Sequence, residues 1–166
     1  PNSMAQRRMA CCENLELLKE EYEKIKKKYG LPSFDELDGE FELRKIDHDL
    51  YIVKEIRRNV MSKIDFLIAL LDPILDPGKS LHSFIETKFF EKCNIEPLFD
   101  FYKLMWRLIH EGVSASYDSE KAEAEFIKRV WKQWPEIKKQ AIEYSDKIAA
   151  GWSKVEKEIF SDKYLQ

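Results

Sequence analysis

His82 and Glu86 stand four residues apart, a spacing that places an imidazole and a carboxylate on one face of a helix. Such a pair begins a metal site but does not complete one. A third ligand must arrive from elsewhere, and His48, Asp49, His110 or Glu111 are the donors on offer. Carboxylate-bridged di-iron bundles repeat a Glu-x-x-His spacing on two helices, and no histidine here has a glutamate three residues before it. No metal ligand set and no cofactor is therefore assigned.

Nucleophilic and redox chemistry have as little footing. The chain has no Gly-x-Gly-x-x-Gly, no phosphate loop, no Gly-x-Ser-x-Gly elbow and no Cys-x-x-Cys pair. Its three cysteines are Cys11, Cys12 and Cys93. A bridge between the adjacent pair would be strained, and an odd count without an apolar leader fits a reducing compartment, so the expected location is cytoplasmic. Cys93 reads as a small core residue. With 31 acidic residues, close carboxylate pairs arise by chance and identify no catalytic pair.

One segment has the composition of a binding surface. From Lys128 to Lys139 it carries five bases (Lys128, Arg129, Lys132, Lys138 and Lys139) against the single acid Glu136, with Trp131 and Trp134 interleaved. On a helix Lys128, Lys132 and Lys139 share a face that could meet phosphate or an acidic partner. Trp131 and Trp134 continue a stripe from Ile127 and read as core, which leaves the lysines as a solvated back face.

These residues must be held by helices. The chain has 166 residues, enough for one domain that needs no disulfide or metal to be stable. Charged residues make up 36% and hydrophobic residues 44%, which fits amphipathic helices with heavily charged outer faces. A net charge of -3 gives no global pull toward nucleic acid or anionic membrane. The longest apolar run, Phe66 to Leu71, is far short of the ~20 residues needed to span a bilayer. Pro1-Asn2-Ser3 ahead of Met4 read as a cloning remnant, with residues 4–166 as a single helical domain.

The periodicity predicts an all-α bundle of five to six helices with an ordered acidic connector after the first. The first helix, from about Glu13 to Tyr29, carries the narrow seam Leu15, Leu18, Tyr22, Ile25 and Tyr29, which suits packing within the chain or a homodimer. Gly30 and Pro32 end it. Ser33 and Glu36 form a capping box for a single turn in the connector, and Phe34, Leu37, Phe41 and Leu43 dock it. Arg57 and Arg58 are expected to pair with the connector's acids between Asp35 and Glu42.

A second helix, capped by Asp47, is predicted to end before Pro73. Its stripe runs from Leu50 to Leu71, and Phe66, Ile68 and Leu70 widen it. Ser80 caps a third helix from Leu81 to Phe90. Asn94 caps a fourth that ends before Gly112, and apolar residues on nearly every face place that helix at the centre of the bundle. Ser119 caps a fifth that Pro135 ends or kinks, and a last piece passes Gly151.

The functional expectation is an intracellular, non-catalytic interaction module that binds another protein. A nucleic-acid or ribonucleoprotein accessory factor using the basic strip is the second reading. An enzyme with a pocket of scattered carboxylates and histidines is the third.

Overall fold

A computed structural model describes residues 4–47 and 51–155 of the chain, with side chains from Asn14 onward. Pro1-Asn2-Ser3, His48, Asp49, Leu50 and the side chains of Cys11 and Cys12 lie outside the described residues. Among those described, the structure is a helical bundle of six α-helices and one 3-10 turn, with no strand. The helices are α1 (Met4–Tyr29), α2 (Phe34–Phe41), α3 (Ile52–Leu75), α4 (Leu81–Lys88), α5 (Glu96–Asp118) and α6 (Glu120–Trp152). The fold class is the expected one. Two units of dense contacts emerge: residues up to Asp65 with Arg107–Gln133, and Phe66–Trp106 with the chain from Trp134 onward. Each is described by itself.

In the first unit the acidic connector is ordered by its own side chains. Ser33 Oγ accepts from the Glu36 N–H, and Glu36 Oε2 accepts from the Ser33 N–H at 2.9 Å. This closed box starts α2, which runs for two turns rather than the single turn expected. Phe34, Leu37, Phe41 and Leu43 are all buried, as their apolar character required. The phenol of Tyr22 on α1 donates to the Pro32 carbonyl at 2.7 Å, and its ring meets Phe34 edge-on. Burial, reinforced by Glu23 and Glu36, pushes the Tyr22 phenol well above its ordinary pKa.

The connector's carboxylates find partners other than those expected. Asp38 is buried; burial raises its carboxyl, but the hydrogen bonds from Arg44, through Nε at 2.6 Å and the backbone N–H at 2.8 Å, hold it below the usual range. Glu42 sits in the left-handed region at φ 57° and is gripped by Lys45 and Lys63, which lower its pKa to about 2. Arg58 pairs with Glu55 on its own helix, and buried Arg57 lies 3.6 Å from buried Glu123 of α6. The α3 register decides this: Arg57 falls beside Ile56 on the buried side of the helix.

Several boundaries move because packing overrides local punctuation. α3 begins at Ile52, five residues beyond Asp47, so Asp47 is not its cap, and Pro73 sits inside its last turn. α5 passes through Gly112 to Asp118, where a loop was expected. A Cβ at Gly112 would lie 2.8 Å from Met61 Sδ and 3.0 Å from the Phe126 ring, so this glycine serves close helix packing rather than chain reversal. α6 is continuous through Pro135 and Gly151. Pro135 is exposed while Trp134 and Ile137 are buried, so the apolar stripe carries the helix across a residue that costs ~3 kcal/mol in a helix interior. Gly151 makes room for the Phe89 ring, which would stand 2.4 Å from a Cβ there.

In the second unit Ser80 caps α4 as expected, with its Oγ accepting from the Ser83 N–H at 3.0 Å. Asn94 Oδ1 accepts from the Glu96 N–H at 3.0 Å and so starts α5. The expectation that α5 is buried all round fails. Leu98, Phe101 and Met105 are buried, while Phe99 and Trp106 are exposed. Phe66 on α3, expected to widen a buried stripe, is 67% exposed, and Cys93, expected in the core, is exposed as well.

Candidate functional site

The second unit holds the His82–Glu86 pair. The helical spacing does bring them together: His82 Nε2 lies 3.0 Å from Glu86 Oε1, and Glu86 is buried. The third group to arrive is an indole rather than a metal ligand. Trp152 Nε1 donates to the same Glu86 oxygen at 2.7 Å, and the His82 ring stacks on the Trp152 ring at 5.5 Å. The carboxylate is thereby committed to tying the end of α6 to α4. Among the described residues no three histidine, cysteine or acidic side chains group as a metal site. Lys147 donates to the exposed Cys93 thiol and lies over the Phe90 ring.

His110 and Glu111, the other donors considered, line an open groove of about 730 Å³ in the first unit. Arg107, Asp118, Glu125 and Arg129 line it too. Glu111 stands between Arg107 at 3.6 Å and Arg129 at 3.3 Å, and Glu125 is 2.7 Å from Lys128. The Glu111 carboxylate is engaged with both guanidiniums, so the groove is organised around ion pairs.

The basic strip is divided in the same way. In the first unit Lys128 and Arg129 carry the carboxylate partners just named, and Lys132 is exposed. Trp131 meets Phe41 edge-on at 6.2 Å. In the second unit Trp134 is buried, and Lys138 and Lys139 are exposed.

The strongest surface feature lies on α5 of the second unit, and the sequence reading missed it. Two apolar stripes run along this helix. Leu98, Phe101, Met105 and Leu108 are buried. Phe99, Tyr102 and Trp106 form a second face, and Ile95, the residue just before the helix whose carbonyl accepts from the Phe99 N–H at 3.0 Å, continues it at its start. Ile95 is 44% exposed, Phe99 48% and Trp106 39%. Tyr102 is half-buried between them; its hydroxyl donates to Asp72 Oδ1 at 2.7 Å, and its ring meets Trp106 edge-on at 6.2 Å. Burial and then Asp72 raise the Tyr102 phenol above its ordinary pKa. Lys103 Nζ covers the Phe99 ring at 5.2 Å while bonding Asp100 at 2.6 Å. The spacing was present in the sequence, but apolar residues on both faces hid which one would be exposed.

No helix among the described residues is long and apolar enough to cross a membrane. No known protein family, curated protein or solved structure matches the chain.

Proposed function

We propose that this chain is an intracellular helical interaction module, an adaptor or accessory subunit that binds another protein through the outer face of α5. The observation that carries this reading is the exposure of Phe99 and Trp106 on one helical face with Ile95 and Tyr102. Single exposed apolar residues are ordinary, but three exposed ones at seam spacing around half-buried Tyr102 form a patch of the kind that marks association sites. Tryptophan and tyrosine are also the side chains that most often dominate binding energy. The nucleic-acid reading has weaker support, because Lys128 and Arg129 already face carboxylates.

A photo-crosslinking amino acid placed at position 99 in the native host tests the reading. It should yield a discrete protein adduct that disappears when Trp106→Glu is added, and a probe at exposed Glu20 on α1 should not reproduce it. Absence of any adduct from position 99 would overturn it.

A further inference from the structure

The α5 face is complementary to itself. A four-three-four spacing reads the same in both directions. When two copies run antiparallel, Phe99 lies opposite Tyr102, a ring against a ring, and Ile95, just before the helix, comes level with Trp106 at the end of the seam. In that register the positions flanking the seam on its solvent side are Glu96 and Lys103. Each Glu96 then faces the Lys103 of the other copy, once on either side of the two-fold axis. Both residues are exposed and of opposite charge. A parallel pairing would instead set Leu98 against Lys103 and leave Glu96 without a cation, so the charges select the antiparallel arrangement.

We propose that the outer face of α5 is a homodimer interface whose occupant is the same face of a second copy, antiparallel, with Glu96 of each chain paired to Lys103 of the other. The proposal rests on the reading of this face as an association surface and specifies the protein it binds as a second copy of this chain, so the adduct expected from position 99 is then this chain's own dimer. A two-fold interface uses one patch twice, so each residue that fits gains its contact in duplicate. Lys103 lies at the seam edge, held over Phe99 and paired with Asp100, and its exposed ammonium can pair with a second carboxylate, from Glu96 of the other copy. The device resembles the charge pairs that set partner and orientation in coiled coils.

Sedimentation equilibrium over a range of protein and salt concentrations tests the proposal. The chains to compare are the wild type, Glu96→Lys, Lys103→Glu, the double swap carrying both changes, and Trp106→Glu. Helical circular dichroism checks that each variant folds. The wild-type chain should dimerise. Each single charge reversal should weaken the dimer roughly tenfold or more by setting like charges against each other. The double swap should recover most of that loss, and Trp106→Glu should abolish the dimer. Because Glu96→Lys also disturbs the first turn of α5, the double swap, which keeps that disturbance, is the decisive comparison. A wild-type chain that stays monomeric overturns the proposal, as does a double swap no tighter than the single variants. So does a dimer that survives Trp106→Glu, which would place the interface elsewhere, for example on α1. A monomeric wild type that still crosslinks from position 99 to a different protein would remove the second copy and keep the association surface. Loss of both signals would remove the surface itself.

Discussion

The inner and outer faces of α5 carry almost the same chemistry and have opposite fates. In the second unit Leu98, Phe101 and Met105 are buried, whereas Phe99 and Trp106 remain at the surface beside half-buried Tyr102. Hydrophobicity alone does not separate them. What separates them is which stripe meets neighbouring helices within the chain. One face therefore supports stability and the other is free to support association, and substitutions on the two should act on different quantities.

The largest effect belongs to the inner face. Phe101→Ala should cost about 3–5 kcal/mol of unfolding free energy, since it removes a buried ring against Tyr144, and denaturant unfolding will measure it. Gly112→Ala extends the same face. Overpacking against Met61 and Phe126 costs about 1–3 kcal/mol and exceeds the gain of about 1 kcal/mol from removing a helix glycine, so a net loss on the order of 1 kcal/mol is expected in thermal unfolding.

Tyr102 stands at the border between the faces, and Tyr102→Phe should cost about 0.5–1.5 kcal/mol through the lost hydrogen bond to Asp72. The pH dependence sharpens this. Because the folded phenol has a raised pKa, its contribution is complete below the unfolded value near 10 and is lost as pH rises through the folded value. Tyr22 and Tyr144 are raised too, so the wild type should lose stability above about pH 10, and Tyr102→Phe should lose less than the wild type does. The outer face contributes little: Trp106→Glu removes the edge-on contact with Tyr102 and should cost about 0.5–1.5 kcal/mol in dilute solution, well below Phe101→Ala.

Acid acts elsewhere. Glu42, held at about 2 by Lys45 and Lys63, contributes stability that is present above the ordinary glutamate range and is lost as pH falls toward 2. Glu42→Gln should flatten the acid limb of a stability–pH curve without changing the limb above pH 10.

Much of this fold was legible in the chain. The Ser33–Glu36 box, the Ser80 cap and the docking of Phe34, Leu37, Phe41 and Leu43 follow from local chemistry, and local chemistry decided them. The misread positions are those where a distant neighbour decides. Gly112 and Gly151 look like helix ends until Phe126 and Phe89 arrive beside them. Pro135 looks like a stop until the buried residues on both sides carry the helix across it. Arg57 looks like a surface cation but is buried against Glu123, with Arg57 Nε and Glu123 Oε2 lacking a hydrogen-bond partner. The α5 face failed to stand out for the same reason, because with two complete apolar stripes only tertiary packing chooses which is covered. The basic strip drew attention by composition, yet the carboxylates facing Lys128 and Arg129 come from residues that charge counting does not place.

The association constant of Trp106→Glu, set against its unfolding midpoint in the dilute, monomeric limit, tests the division between the two faces most directly. Association should be lost while stability falls by no more than the Tyr102 ring contact accounts for, about 0.5–1.5 kcal/mol. Association that persists, or a loss of stability as large as that of Phe101→Ala, would contradict the division between the faces.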